Sequence, residues 1–406
     1  MPTETNTPGN CLDNEIIGKM MSHVNVVANH LTAMQNYCAG YTKYLNDFMI
    51  PFLISTNYFN RVEKDKLLVT SPLESLQSYM DLLSFNLDIS NKGLSAGMEV
   101  MNEYAKREIP AAVKALFNTF FGQNGEDMAA FTARHSRMVQ AVAQVYPEAI
   151  RNVASEFGFH FEKGTNVKFA ETDRFLLYQI LPTDPTVTVR EDGKPVLILP
   201  PFVLGANILA FLPGENRSYT HCFANQGIPT YIRIMKNIQE TPEVQVMTGE
   251  DDATDTRLFC EKIMARHGKP VTLNGYCQGG FSGVCDLLSG ELDDLVDALI
   301  TCVSPMDGTR SDGLKDFLNA LPDRFNDLAY GTKTLSNGNQ VADGNLMGWV
   351  YKLKSIQSEA PMVAFLRDLM MLSPRDHEPI KISKTAAALN YWLQNERCDL
   401  PLAVTR

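Results

Sequence analysis

A pentapeptide at residues 275–279, Gly-Tyr-Cys-Gln-Gly, constrains this chain more than any other feature. It follows the β-prone run Val-Thr-Leu-Asn (271–274) and opens a stretch with helical spacing. A nucleophile set on a sharp strand-to-helix turn needs small residues two positions before and two after it, because side chains there would strike the neighbouring strand and helix. Gly275 and Gly279 meet that need, and Gly280 eases the helix entry. With 26 glycines and 8 cysteines in 406 residues, a Gly-x-Cys-x-Gly match arises by chance about 0.03 times. The bland alternative is a tight junction around a buried, inert thiol. On the sharper reading Cys277 is a nucleophile at a helix N-terminus, where the partial positive charge favours a thiolate. A thiolate suits acyl transfer between thioesters, since one thioester is exchanged for another at nearly equal energy. The backbone N–H of Gln278 is expected to face the developing oxyanion. A second donor is expected from the loop Pro-Pro-Phe-Val-Leu-Gly at 200–205.

The surrounding pattern supports a sheet for that turn to sit on. Runs at 175–182, 193–201, 229–235, 270–276 and 295–305 read as strands. Helical patterns lie between them and end on Gly227 and Gly268, each suited to a left-handed cap. Strands alternating with helices predict an α/β fold with a mostly parallel sheet and helices on both faces. Sites in such folds lie at the carboxyl ends of the strands.

Three regions follow from the change of period: a helical domain over 1–165, the α/β core over 166–310, and a helical, cap-like region over 311–406 with no convincing strand. In the first, Ser71, Pro72 and Glu74 form a capping-box signature, and Leu73, Leu76, Met80 and Leu83 follow at helical spacing. Either the apolar faces of this domain bury one another, or they bind a partner or surface.

A net charge of -11 argues against nucleic acid. Eight scattered cysteines without a CxxC pair offer no zinc spacing and read as reduced thiols of a cytoplasmic protein. No stretch reads as a membrane span, since the longest apolar run carries four prolines.

The elbow, the run from Pro195 to Asn237 and the later Asn-Leu-Met-Gly-Trp-Val-Tyr-Lys-Leu (345–353) resemble the polyhydroxyalkanoate synthases from about residue 170 onward. That resemblance implies an α/β-hydrolase core with a helical cap, and a cysteine, Cys277, that takes 3-hydroxyacyl groups from coenzyme A thioesters. Coenzyme A enters as substrate, and no cofactor is implied. The oxyanion donors map onto Gln278 and Val203, and Trp349 matches a tryptophan of the family's cap. A polyester granule surface and a homodimer are the partners it implies. The chain departs from the family at 233–240, where Arg-Ile-Met-Lys-Asn-Ile-Gln-Glu replaces a Trp-Arg-Asn-Pro-like run.

The base is harder to place. In this fold the acid and the histidine follow the nucleophile, and His377 is the single histidine after Cys277. It sits in a polar loop where a solvated residue is the simpler reading. Asp307 follows a strand, where it could orient a histidine or simply cap its loop. In the family the acid and histidine lie on later strands, so the chain reads either as a synthase lacking that segment or as a catalytically silent platform. A thiol hydrolase recruiting His377 is the third reading.

Overall fold

A computed structural model describes residues 9–122, 124–153, 166–372 and 382–405. Two long helices come first, α1 (Gly9–Lys66) and α2 (Pro72–Phe121). The capping box at the start of α2 forms as the sequence predicts. Glu74 accepts from the Ser71 N–H at 3.0 Å, and Ser71 Oγ accepts from the Glu74 N–H at 3.2 Å. The chain divides into two compact units that are not continuous in sequence. One comprises 1–50, 88–149 and 355–382, and the other 51–87, 150–354 and 383–406.

The first unit is helical. It holds the early part of α1, the later part of α2, α3 (Met128–Gln140), a π turn at Ala141–Val145 and the start of α4 (Tyr146–Asn152). The later helices α11 (Ile356–Glu359) and α12 (Pro361–Met371) complete it. Its hub is Phe365, fully buried and ringed edge-on by Tyr37, Tyr41 and Tyr44. Gly40 makes room for that ring: a Cβ there would stand 2.9 Å from Phe365 Cε2.

The second unit carries the sheet: β1 (Val167–Glu171), β2 (Phe175–Ile180), β3 (Val196–Leu199), β4 (Thr230–Met235), β5 (Val271–Tyr276) and β6 (Val296–Cys302). Their order is β1-β2-β4-β3-β5-β6. β3 to β6 are parallel, while β1 and β2 run antiparallel. The expectation that 175–182 joins a parallel series is therefore corrected. β1 and β2 are joined by a tight turn in which the Thr172 N–H donates to Phe175 O, and a parallel pair would need a crossover far longer than that. The crossovers that set the parallel strands are α5 (Tyr219–Ala224), α7 (Gly249–His267) and α8 (Gln278–Leu288), with the short α6 (Pro242–Gln245) before α7. Gly227 and Gly268 take φ of 73° and 65° at the helix ends where the sequence places them.

Beyond the sheet come α9 (Asp312–Ala320), α10 (Gly344–Lys354), α13 (Lys384–Asn395) and α14 (Leu402–Thr405). The region after Pro305 is not without strands. β7 (Thr332–Thr334), β8 (Gln340–Ala342) and β9 (Leu400–Pro401) make a small antiparallel sheet. These strands are two or three residues long, too short to show a period of two. Among the described residues no helix is long and apolar enough to cross a membrane.

Leu73, Leu76, Met80 and Leu83 on α2 are exposed by half or more, while Ser75, Ser78 and Phe85 are buried. The apolar spacing read from the sequence is real, but that stripe is not what α2 buries.

Behind the sheet lies a buried charge cluster. Arg233 of β4 is 1% exposed, and its Nη1 stands 2.8 Å from Asp252 Oδ1. The ring of Phe175 lies 4.3 Å from the guanidinium. Asp286 of α8 accepts from Thr256 Oγ1 at 3.1 Å and is pushed up to about 7, first by burial and then by Asp252. One cation thus serves two carboxylates, and Asp286 holds its proton up to about pH 7. Replacing Arg233 by Met is expected to cost about 3–5 kcal/mol in urea unfolding, because Asp252 loses its counter-charge in the interior. Asp286 binds its proton more tightly folded than unfolded. Its contribution is therefore full below the ordinary carboxylate range and is lost as pH rises toward 7. Asp286→Asn should flatten that decline, read as Tm against pH.

Candidate active site

At the end of β5 the backbone turns through Cys277 with φ 53° and ψ -122°, a conformation L-residues rarely adopt, and α8 starts at the next residue. At Gly275 and Gly279 neighbouring backbone leaves room for glycine alone. A Cβ on Gly275 would sit 2.3 Å from Gly280 Cα, and one on Gly279 would sit 2.1 Å from Leu199 O. At Gly280 it would stand 1.8 Å from Ser304 Oγ. The turn is held by the Cys277 N–H donating to Cys302 O at 2.9 Å and the Gly280 N–H donating to Cys277 O at 3.0 Å. Cys277 is half-buried. It caps no N–H of α8 with its side chain, and the Gln278 and Gly279 amides that open the helix have no partner within it.

Strands β3 and β5 are adjacent, yet the chain leaves β3 toward β4 and leaves β5 toward β6. The loops after them separate at that point, which opens a crevice at the carboxyl ends of the strands. The loop after β3 carries Val203, the second expected oxyanion donor. Its N–H donates to the side-chain Oε1 of Gln278 at 3.0 Å. The two expected donors are therefore brought together, with the Gln278 amide group occupying one of them.

Sequence reasoning missed what braces this loop. The Trp392 Nε1–H donates to Leu204 O at 2.8 Å, and the Cys398 N–H donates to Val203 O at 2.9 Å. Gly344 lies so close under Cys398 that a Cβ would stand 2.2 Å from its carbonyl oxygen. Arg397 packs against Gly348 of α10. Tyr351, one turn further along α10, has its ionisation opposed by burial and then by Cys277, which places the phenol near the thiol. The stretch around 397–405 gives no sequence signal for this role, because each contact joins residues far apart in the chain.

The other expected residues lie elsewhere. Asp307 takes the Thr309 N–H at 3.0 Å and Arg310 Nε at 3.1 Å, and its exposed carboxyl is held below its ordinary range by the Thr309 hydrogen bonds. It caps its own turn. His377 lies outside the described residues. His221 is buried against Ser218 Oγ at 2.7 Å, and burial lowers it to about 4. His267 bonds Tyr231 Oη at 2.8 Å and Glu191 O at 2.6 Å. Trp349 is buried and meets Phe52 edge-on at 6.3 Å.

Two cavities flank the loop after β3, sharing Phe202. One, of 360 Å³, lies toward β4 and is lined by Arg233, Lys236, Arg397, Glu396 and Asp399 among others. The other, of 750 Å³, runs along α8 from Gln278.

No family model matches the chain, and no curated protein does. Among solved structures it is similar to the mature lipase BlEst2 of Bacillus licheniformis, at 13% identity and a TM-score of 0.26, over 54% of this chain and 69% of that one. It is also similar to a Burkholderia cenocepacia protein assigned as an aryl esterase, at 11% identity and a TM-score of 0.25, over 58% and 88% of the two chains. Likeness at that level carries no weight of its own. The structure itself shows a mostly parallel α/β sheet with a sharp strand-to-helix turn after β5.

Gly279→Ala must push β3 and α8 apart, whereas a Cβ on Gly249 meets nothing within 4 Å. The first substitution is expected to cost about 3 kcal/mol or more, and the second under about 1 kcal/mol. Chemical denaturation of the two variants checks the contrast.

Proposed function

We propose that the chain is an acyltransferase of the polyhydroxyalkanoate synthase kind, with Cys277 as nucleophile. The observation that carries this reading is the strained Cys277 turn at the start of α8, held by three glycines that tolerate no side chain. Strain of this sort persists where the surroundings over-determine it, and it sets the thiol at the mouth of a helix. The Cys277 thiolate attacks the carbonyl of a 3-hydroxyacyl-coenzyme A, and the negative charge moves to the carbonyl oxygen beside the Gln278 N–H. The bond from that carbon to the coenzyme A sulfur then breaks. Coenzyme A leaves as a thiolate and takes up the proton that the Cys277 thiol had given to the base, and the acyl group stays on Cys277. The hydroxyl of a second hydroxyacyl group attacks next. A new ester bond forms, its proton passes to a base, and the Cys277 thiolate is released. His377 is the base we propose, with Asp307 as its orienting acid once that carboxylate gives up Thr309 and Arg310.

A catalytically silent platform is the second reading. It is favoured by the Gln278 side chain seated on the Val203 N–H, where an oxyanion would bind. Intact-mass measurement after mixing with 3-hydroxybutyryl-coenzyme A separates the two. The acyltransferase reading expects one hydroxybutyryl adduct and matching release of coenzyme A, both lost in Cys277→Ala. It also expects Gln278→Ala, which keeps its backbone donor, to acylate within about threefold of wild type. A wild-type chain that stays unmodified while its thiol remains alkylatable supports the platform. An adduct seen only in Gln278→Ala would show the side chain to be a block.

A further inference from the structure

The cavity along α8 differs in chemistry from its neighbour. Gln278, Ser282, Cys285 and Asp286 lie on one face of α8 and, with its C-cap Ser289, form one wall, so the cavity begins at the residue after the nucleophile. Phe202, Met347, Leu400 and Val404 supply an apolar wall. No lysine, arginine or histidine lines it, while Glu250, Asp252, Asp286 and Glu291 do. Such a lining repels the phosphates of coenzyme A. The cavity toward β4, with Arg233, Lys236 and Arg397, does not share that bias.

We propose that this 750 Å³ cavity seats a neutral hydroxyester chain, with the Asp286 carboxyl donating a hydrogen bond to one of its ester carbonyls. The assignment rests on the acyl-transfer reading and deepens it by naming where the growing chain lies. An ester chain offers acceptors alone along its length, so a buried site must meet it with donors. Ser282 cannot serve, because its hydroxyl already donates to Asp252 Oδ2. Asp286 can. It is 2% exposed, and its Oδ2 accepts from Thr256, which leaves the other oxygen to carry a proton. The groups facing it keep that proton in place: Asp252 from α7 opposes a second negative charge, Arg233 from β4 is already paired with Asp252, and Cys260 and Cys285 are thiols raised by burial and by Asp286 itself. A carboxyl that holds its proton to about pH 7 is a donor below that pH and an acceptor above it.

The test uses the full chain as Cys277→Ala, which binds without reacting, and the methyl ester of a 3-hydroxybutyrate trimer as probe. Calorimetric titration is expected to show binding at pH 5.5 that weakens about tenfold at pH 8.5, the cost of a lost donor in a buried site. Adding Asp286→Asn, whose amide donates at every pH, should keep the affinity and remove the pH dependence. Ala403→Trp, which fills the cavity from α14, should abolish binding at unchanged Tm. Free coenzyme A should not compete. Binding indifferent to pH, binding displaced by coenzyme A, or no binding by a folded protein at pH 5.5 would each overturn the assignment. Acyl transfer to wild-type Cys277 is read separately by mass. A chain that acylates but does not bind the trimer loses this inference alone, and one that binds but does not acylate loses the acyltransferase reading alone.

Discussion

The close approach of α8 to β3 is the constraint on which the rest of the site depends. Gly279 lies against the carbonyl of Leu199, and Gly275 lies against Gly280, with no space for a methyl group at either contact. This proximity goes with the positive φ of Cys277, whose side chain makes no cap hydrogen bond to the helix. It also brings the loop after β3 beside the first residue of α8, so that Val203 and Gln278 meet. Loosen the contact and the thiol, the amide and the loop no longer share a crevice.

The buried charges beneath the site follow a different logic. Arg233 is held between the ring of Phe175 and the carboxylate of Asp252, and one guanidinium cannot neutralise both that carboxylate and Asp286. The protein resolves the imbalance by keeping a proton on Asp286 rather than by admitting a second cation. A carboxyl that holds its proton up to about pH 7 is thereby placed four residues beyond Ser282, on the wall of the larger cavity. Electrostatics in the core and chemistry in the cavity are linked through one residue.

The parts of the molecule differ in how plainly they are written in the chain. The elbow is local: five consecutive residues, a preceding β-prone run and a following helix, all governed by steric rules that act within a few positions. The capping box at Ser71–Glu74 and the helix-ending glycines at 227 and 268 are local in the same sense. The direction of β2 is not, because it depends on how short its connection to β1 is and on its pairing with β4 more than 50 residues later. The buried face of α2 is not either. Spacing shows that an apolar stripe exists, but which face is covered depends on what packs against the helix, and the stripe from Leu73 to Leu83 stays in solvent.

What the sequence by itself determined is the sharp Gly-Tyr-Cys-Gln-Gly turn between strand and helix and the α/β alternation that carries it, since each follows from short-range sterics and hydrogen bonding. Tertiary structure alone decided the brace of the loop after β3 by Trp392 and Cys398, the seating of Gln278 on Val203 and the burial of Asp286 beside Asp252 that raises it. It also seated the Asp307 carboxylate on Thr309 and Arg310 of its own turn. These depend on which distant side chains meet, and on how much water is excluded where they do. No period or spacing along a chain encodes either quantity.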